Sequence, residues 1–181
     1  MTEKLIFRPY QERDLQSVVQ LWHQAGLLVP WNNPFLDIQR KVEHSNHDFW
    51  VLFGEGTGFA KGHSFDLENL ANQNDSSGSN YVEGQTLIAT LMLGYEGHRG
   101  VVNYLAVHPE WQGSGLGKQL MAFAEQQLIE KGCPKINLFV RATNQAVVNF
   151  YEKLGYQEEK AVAFGKRLIP DPSYDLENET Q

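Results

Sequence analysis

Hydrophobic positions follow two different spacings along the chain, and segments of the two kinds alternate. Leu15, Val18, Val19 and Trp22 fall at the i, i+3, i+4 and i+7 positions of one helical face. Residues 49–53 are instead a short run of aromatic and branched side chains, which is typical of a strand. The same criteria predict strands at 4–9, 49–53, 86–93, 101–107, 135–141, 156–162 and 164–169, and helices from Glu12 or Asp14 to Gly26, at 37–44, at 117–131 and at 144–154.

This order of elements bounds the fold class. Strands and helices are mixed along the chain, and at least one strand–helix–strand crossover is present. Such an order is typical of an α/β or α+β domain built on a mixed sheet.

Residues 54–85 break the pattern, because they are rich in Gly, Asn, Ser and Asp. The segment is too long for a hairpin turn, which usually takes about 2–5 residues. We predict a flexible insertion between two strands, with one helical turn near 67–70, a disordered middle at 72–80 and the capacity to act as a lid. The remainder of residues 1–170 is predicted to form one domain, followed by a loose acidic tail at 171–181.

Composition and charge narrow the class of protein. The chain has 181 residues, 41% of them hydrophobic and 20% charged, which is a globular composition. Its single cysteine excludes a disulfide scaffold and favours a reducing compartment. A net charge of −7 argues against nucleic-acid or anionic-membrane binding, and no apolar run is long enough for a membrane helix. The acidic charge suits a cytoplasmic enzyme. The six histidines lack paired helical spacing, so we expect no metal site.

The sharpest local signal is the glycine-rich segment 112–118, which lies between a predicted strand and a predicted helix. The first amides of a helix have no internal partner, and glycines let an anion approach them, so the segment predicts a phosphate site. It fails the Walker pattern because Lys118 is followed by Gln119, and its G-x-G-x-G spacing fails the dinucleotide fingerprint. On these residues alone, a tight turn is an equal alternative.

Neighbouring residues connect this turn with a known family. The stretch LAVHPEWQGSGLGKQLM resembles the acyl-CoA signature of the GNAT superfamily of acetyl-CoA-dependent N-acetyltransferases. Gln112, Gly115 and Gly117 match its Gln/Arg-x-x-Gly-x-Gly/Ala pattern in register. Asn144 followed by NFYEKLGY resembles a second family region, and the resemblance covers roughly residues 5–169. The segments PWNNP, GYEGHRG, GCPKI and GKRLI are similar to a small bacterial branch, the YpeA-like proteins.

The resemblance implies a fold and a donor site. The fold is a twisted, mostly antiparallel sheet of about six to seven strands with about four flanking helices and a splayed central strand pair. The amides of 112–118 would hold the pyrophosphate of acetyl-CoA, and the Val107 amide would stabilise the oxyanion. The implied donor-site residues are Leu105, Ala106, Val107, Gln112, Gly113, Ser114, Gly115, Leu116, Gly117, Lys118 and Asn144.

The resemblance also implies catalytic and acceptor residues. Tyr151 is the candidate general acid for the leaving thiolate, since a phenol holds its proton at neutral pH. Glu96 is the candidate general base, with His98, Glu110 and a water relay as alternatives. Trp31 and Asn32, together with Asn33, belong to a loop expected to form one wall of the acceptor pocket, and His98 is a further candidate there.

These assignments describe an enzyme that moves an acetyl group to a primary amine by direct attack in a ternary complex. Cys133 follows a helix-ending glycine and is expected to be a buried small residue and not a nucleophile. The expected partner is a small-molecule or peptide amine. Many GNAT proteins dimerise, and the sequence leaves a homodimer open. The alternatives are a non-catalytic acyl-CoA-binding module of the same fold and an unrelated nucleotide-binding protein.

Overall fold

Five strands form one sheet in which the spatial order follows the chain order. The computed structural model describes residues 5–55, 65–73 and 84–174. The first four strands are antiparallel neighbours, and the fifth is parallel to the fourth. The strands are β1 (Ile6–Pro9), β2 (Phe49–Gly54), β3 (Thr86–Tyr95), β4 (Gly100–Val107) and β5 (Ile136–Asn137), and the helices are α1 (Leu15–Gln24), α2 (Pro34–Ser45), α3 (Leu67–Gln73), α4 (Leu116–Glu130) and α5 (Gln145–Lys153). The predicted mixed α/β architecture is confirmed, although the described strands number five and not six to seven.

Apolar side chains cover both faces of the sheet. Successive strand residues point to opposite faces, so Ile6 packs with the α1 and α2 side chains while Phe7 packs with those of α4. Trp22 of α1 and Leu120 of α4 are fully buried in these two cores. Burial on both faces explains why the strands are almost continuously hydrophobic and do not alternate with polar residues.

Part of the predicted insertion belongs to the core. Phe65 and Leu67 are buried beside α4, and α3 begins at Leu67. The helical turn predicted at 67–70 is therefore confirmed, and it extends to Gln73. Residues 56–64 and 74–83, which include most of the predicted disordered middle, lie outside the described residues.

The second helix begins earlier than the predicted residue 37. The Asn33 side chain accepts hydrogen bonds from the amides of Phe35 (3.0 Å) and Leu36 (3.3 Å), and Pro34 occupies the first helical position. An asparagine cap followed by proline is a favourable helix start, because both satisfy or remove amides that lack intrahelical partners.

The splayed strand pair is present between β4 and β5. The two strands pair only at Gly100–Ile136 and Val101–Asn137, so the predicted strand at 135–141 is reduced to two residues. The β5-facing edge of β4 is consequently without a strand neighbour from Val102 onward within the described ranges. A register shift opposite residues 90–92 of β3 and the positive φ of Tyr104 (48°) mark a bulge in β4 at this point.

Beyond α5, the described chain contains no strand, so the strands predicted at 156–162 and 164–169 are wrong. Val162, Phe164 and Leu168 are the large apolar side chains of these two segments, yet they are 79%, 95% and 83% exposed. A strand forms only when it can pair with the edge of a neighbouring strand. The β5 strand ends at Asn137 and is too short to provide such an edge. The predicted tail does not leave the domain directly, because Asp171 contacts α2 through Arg40.

Candidate functional site

The glycine loop before α4 presents a cluster of free backbone amides. Gly113 and Gly115 have positive φ angles of 74° and 97°, and Gly115 is the residue at which the 15-residue helix starts. The amides of Gly113, Ser114, Gly115, Gly117 and Lys118 have no hydrogen-bond partner among the described residues. Unpaired amides at the positive end of a helix dipole are groups that bind anions, and the phosphate site expected here stays a prediction.

Two polar side chains of the loop hold its shape. The Ser114 hydroxyl donates to the Trp111 carbonyl (2.7 Å) and accepts from the Leu116 amide (3.3 Å). Gln112 Nε2 donates to the Val107 carbonyl at 3.0 Å, which links the loop to the end of β4. The structure therefore places the predicted residues 112–118 together, with Gln112 and Ser114 holding the backbone in the conformation that exposes its amides.

Gly117 brings α5 against the loop. A Cβ atom at this position would lie 3.3 Å from the Phe150 ring, which is closer than ordinary van der Waals contact. Asn144 caps α5 by accepting from the Val147 amide (3.3 Å), which leaves its side-chain NH2 group without a partner in the described part of the chain. The absent side chain of Gly117 therefore allows the second predicted region to pack beside the first.

Tyr151 lies on α5 next to Phe150, and its ring is partly buried. It contacts Phe150 and Tyr156 edge-on, with ring centroids 5.0 and 5.6 Å apart. Burial raises the pKa of the Tyr151 phenol, so this group holds its proton at neutral pH. The neighbouring Tyr156 differs because its hydroxyl donates to Glu125 at 2.8 Å.

The predicted acceptor wall lies near the continuation of β5. Trp31 is 59% exposed, and the Arg141 guanidinium lies 5.6 Å from its ring centroid. Asn32 Oδ1 accepts a hydrogen bond from Arg167 Nη2 at 2.6 Å. Arg141 lies in the segment after β5, where the chain has separated from β4. Because Arg141 contacts Trp31, the α1–α2 loop lies near the open end of the splayed pair.

Tyr104 and Asp37 form a polar contact at the β4 bulge that the sequence analysis missed. The Tyr104 ring stacks on Trp22 at 3.8 Å, and its hydroxyl donates to Asp37 Oδ2 at 2.5 Å. Burial and the hydrogen bond to Asp37 raise the pKa of Tyr104 well above its usual range. A tyrosine inside an apolar strand is typical of a core residue, so no local signal distinguishes this one.

The structure does not bring Glu96 and His98 to the glycine loop. Both are exposed in the turn before β4, where Glu96 accepts from the Arg99 amide at 2.6 Å. This turn lies at the opposite end of β4 from Val107, about 23 Å along the strand at 3.3 Å per residue. Glu110, in contrast, is exposed in the turn that directly follows β4.

Two further features concern metals and membranes. Within residues 5–55, 65–73 and 84–174, no group of three or more His, Cys, Asp or Glu side chains is arranged to hold a metal ion. No helix in these ranges is both long enough and apolar enough to cross a bilayer.

Comparisons with known proteins show the family to which the chain is similar. Residues 40–156 match the family described as "Acetyltransferase (GNAT) family". An acetyltransferase of Yersinia pseudotuberculosis is 36% identical over 167 residues, which cover 92% of this chain and 98% of the relative. An acetyltransferase of Sodalis glossinidius is 37% identical over 168 residues, with the same coverage of both chains.

Solved structures show the same fold at low sequence identity. A NatC complex bound to Gag peptide and CoA gives a TM-score of 0.60 at 18% identity, covering 87% of each chain. The ribosomal-protein-S18-alanine N-acetyltransferase of Escherichia coli gives 0.58 at 18% identity, covering 87% of this chain and 80% of that one. The aminoglycoside acetyltransferase AAC(6')-Iy, in complex with a bisubstrate analogue, gives 0.57 at 14% identity, covering 92% and 99%.

Proposed function

The chain belongs to the GNAT acetyltransferase family and is an acetyl-CoA-dependent N-acetyltransferase, and we propose that it transfers the acetyl group directly to a primary amine in a ternary complex. Direct transfer needs the thioester and the amine in one gap, a donor for the oxyanion and a proton for the leaving thiolate. Each requirement has a counterpart in the residues around β4.

The splay of β4 from β5, directly beside the glycine loop, is the observation that carries this proposal. Pairing stops after Val101, so the backbone of 102–107 has an open edge that an extended pantetheine arm can join as a strand would. We propose that the backbone of Leu105 and Val107 pairs with this arm, with the Val107 amide as oxyanion donor, whereas Ala106 between them pairs with Thr90 of β3. The free amides of Gly113, Ser114, Gly115, Gly117 and Lys118 would then hold the pyrophosphate, and the Asn144 NH2 group would contact the arm.

Tyr151 is proposed as the general acid. Its hydroxyl has no hydrogen-bond partner among the described residues, and burial keeps it protonated. When the tetrahedral intermediate collapses, the C–S bond breaks, and the phenol gives its proton to the departing thiolate. The resulting phenolate regains a proton from water.

The proposal assigns removal of the amine proton to water and not to Glu96 or His98. Those two residues lie about 23 Å along β4 from Val107, which is too far for proton transfer at the oxyanion donor. The open gap between β4 and the residues after β5 admits water, so the rate should follow the deprotonation of the free amine as pH rises.

A comparison of two tyrosine variants tests the proposal. Tyr151→Phe should lower kcat by about 100-fold or more, because it removes the proton donor. Tyr156→Phe removes a hydroxyl three residues beyond the same helix and should keep kcat within a few-fold. Turnover is measured as CoA release with a panel of polyamines, amino acids, peptides and aminoglycosides.

Acetyl-CoA binding is measured separately by thermal melting. At 100 times its dissociation constant, acetyl-CoA should stabilise each variant by about 2.7 kcal/mol, or about 5–10 °C. Unchanged kcat in Tyr151→Phe would contradict the acid assignment. Binding without acetylation of any amine would instead favour a non-catalytic acyl-CoA-binding module.

A further inference from the structure

The last described residues of the chain attach to the loop between α1 and α2. The Asp171 side chain is only 2% exposed, and it accepts hydrogen bonds from Arg40 Nη2 (2.6 Å) and Nη1 (3.4 Å). The same carboxylate accepts from the backbone amide of Asn33 at 3.1 Å. One carboxylate therefore joins the C-terminal segment both to α2 and to the residue that caps α2.

Two neighbouring residues attach to the same place. Arg167 Nη2 donates to Asn32 Oδ1 at 2.6 Å, and its Nη1 lies 3.6 Å from Asp171 Oδ2. The Tyr174 ring contacts Phe35 edge-on, with centroids 6.5 Å apart. We refer to Arg167, Asp171 and Tyr174 together as the C-terminal clasp, since they hold three positions between residues 32 and 35.

The α1–α2 loop depends on this clasp for a buried hydrogen bond. Asn33 is 5% exposed, and its side-chain oxygen is already used to cap α2. Its backbone amide finds its acceptor in Asp171, which comes from a segment 138 residues further along the chain. A buried amide without an acceptor is costly, so loss of the carboxylate would favour a different loop conformation.

The clasped loop also carries an exposed aromatic side chain that contacts the chain beyond β5. Trp31 precedes the two clasped asparagines, and its ring faces the Arg141 guanidinium that follows β5. Asn32 itself lies beside the Tyr104 hydroxyl at the β4 bulge. From Ala161 to Phe164, in contrast, the apolar side chains of the segment are exposed.

We infer that the C-terminal clasp positions Trp31 and Asn32 as the wall against which the acceptor amine binds, with Asp171 as the positioning residue. This inference rests on the proposed amine acetylation. It assigns to the C-terminal segment a role in binding the acceptor amine and none in binding acetyl-CoA. The clasp contacts α2, whereas the glycine-loop amides that we propose to bind acetyl-CoA lie at the start of α4.

Asp171→Asn tests the inference, because it removes the charge while it keeps the side-chain size. The KM for the amine should rise about tenfold or more, as expected when a charge-assisted hydrogen bond is lost, while the KM for acetyl-CoA stays within twofold. Glu159→Gln is the matched control, since it removes an exposed ion pair with Lys135 from the same segment and should change neither KM. Arg167→Gln, at a half-exposed residue, should raise the amine KM in the same direction without unfolding the protein.

Hydrogen–deuterium exchange of the peptide spanning 27–36 provides a second readout that does not depend on the acceptor. Exchange should accelerate in Asp171→Asn and remain unchanged in Glu159→Gln. Unchanged exchange would overturn the clasp, and faster exchange with an unchanged amine KM would overturn its role at the acceptor wall. If the wild-type protein acetylates no amine, the proposed function and the acceptor role both fail, and the exchange measurement still decides whether Asp171 holds the loop.

Discussion

Gly115 is the position at which the donor site can be perturbed most cleanly. Its φ of 97° lies in the region that favours glycine, and a Cβ atom there would meet nothing within 4 Å. Gly115→Ala therefore adds backbone strain of about 1–2 kcal/mol without a steric clash. Since 1 kcal/mol shifts the melting temperature of a domain of this size by about 2–4 °C, the variant should melt about 2–8 °C lower.

The same methyl group should also weaken acetyl-CoA binding. It projects into open space in front of amides that we propose to contact the pyrophosphate, and one charge-assisted hydrogen bond contributes about 1.5–3 kcal/mol. The dissociation constant should therefore rise about tenfold or more, which isothermal titration calorimetry can measure.

Gly132 supplies a matched control for this experiment. It follows the opposite end of α4 with a φ of 75°, and a Cβ atom there also meets nothing within 4 Å. Gly132→Ala should lower the melting temperature by a similar amount and leave acetyl-CoA affinity unchanged. Equal affinities in the two variants would refute the placement of the pyrophosphate at the glycine loop.

Three further predictions concern ion pairs and the amine proton. Asp14→Asn breaks a buried pair with Arg8 (side chains 2% and 5% exposed) and should cost about 3–5 kcal/mol in urea unfolding. The hydrogen bond from Arg40 lowers the pKa of Asp171 to about 2. The stabilising contribution of this carboxylate is therefore complete above about pH 4 and is lost as pH falls through 2. Between pH 5 and 2.5, the melting temperature of the wild type should consequently fall by more than that of Asp171→Asn. Glu96→Gln should keep kcat within twofold at every pH, and a large loss would restore Glu96 as the base.

Short-range patterns predicted the helices, four of the strands and the glycine loop correctly, because each depends on nearby residues. The 3.6-residue spacing of Leu15, Val18 and Trp22 reports burial of one helical face wherever the helix packs. Glycine adopts a positive φ without steric cost, so the glycines at 113 and 115 were sufficient to locate the turn before α4.

The strand predictions failed where pairing depended on distant residues. The apolar residues of 156–162 and 164–169 led to two predicted strands, but Val162, Phe164 and Leu168 are exposed and no described strand pairs with either segment. The segment at 135–141 pairs for only two residues, because β4 bulges at Tyr104 and separates from it. Neither outcome is encoded in the residues of the segment itself.

From the amino-acid sequence alone, the helices were predicted to within a few residues, together with their apolar faces and the glycine turn before α4. The fold was needed to show that β5 leaves β4 after two residues, that Tyr104 contacts Asp37, and that Asp171 contacts Asn33. The physical reason is range: helix periodicity and glycine conformation depend on a few consecutive residues. Strand pairing and buried ion pairs instead depend on groups that the fold brings together from as many as 138 positions apart.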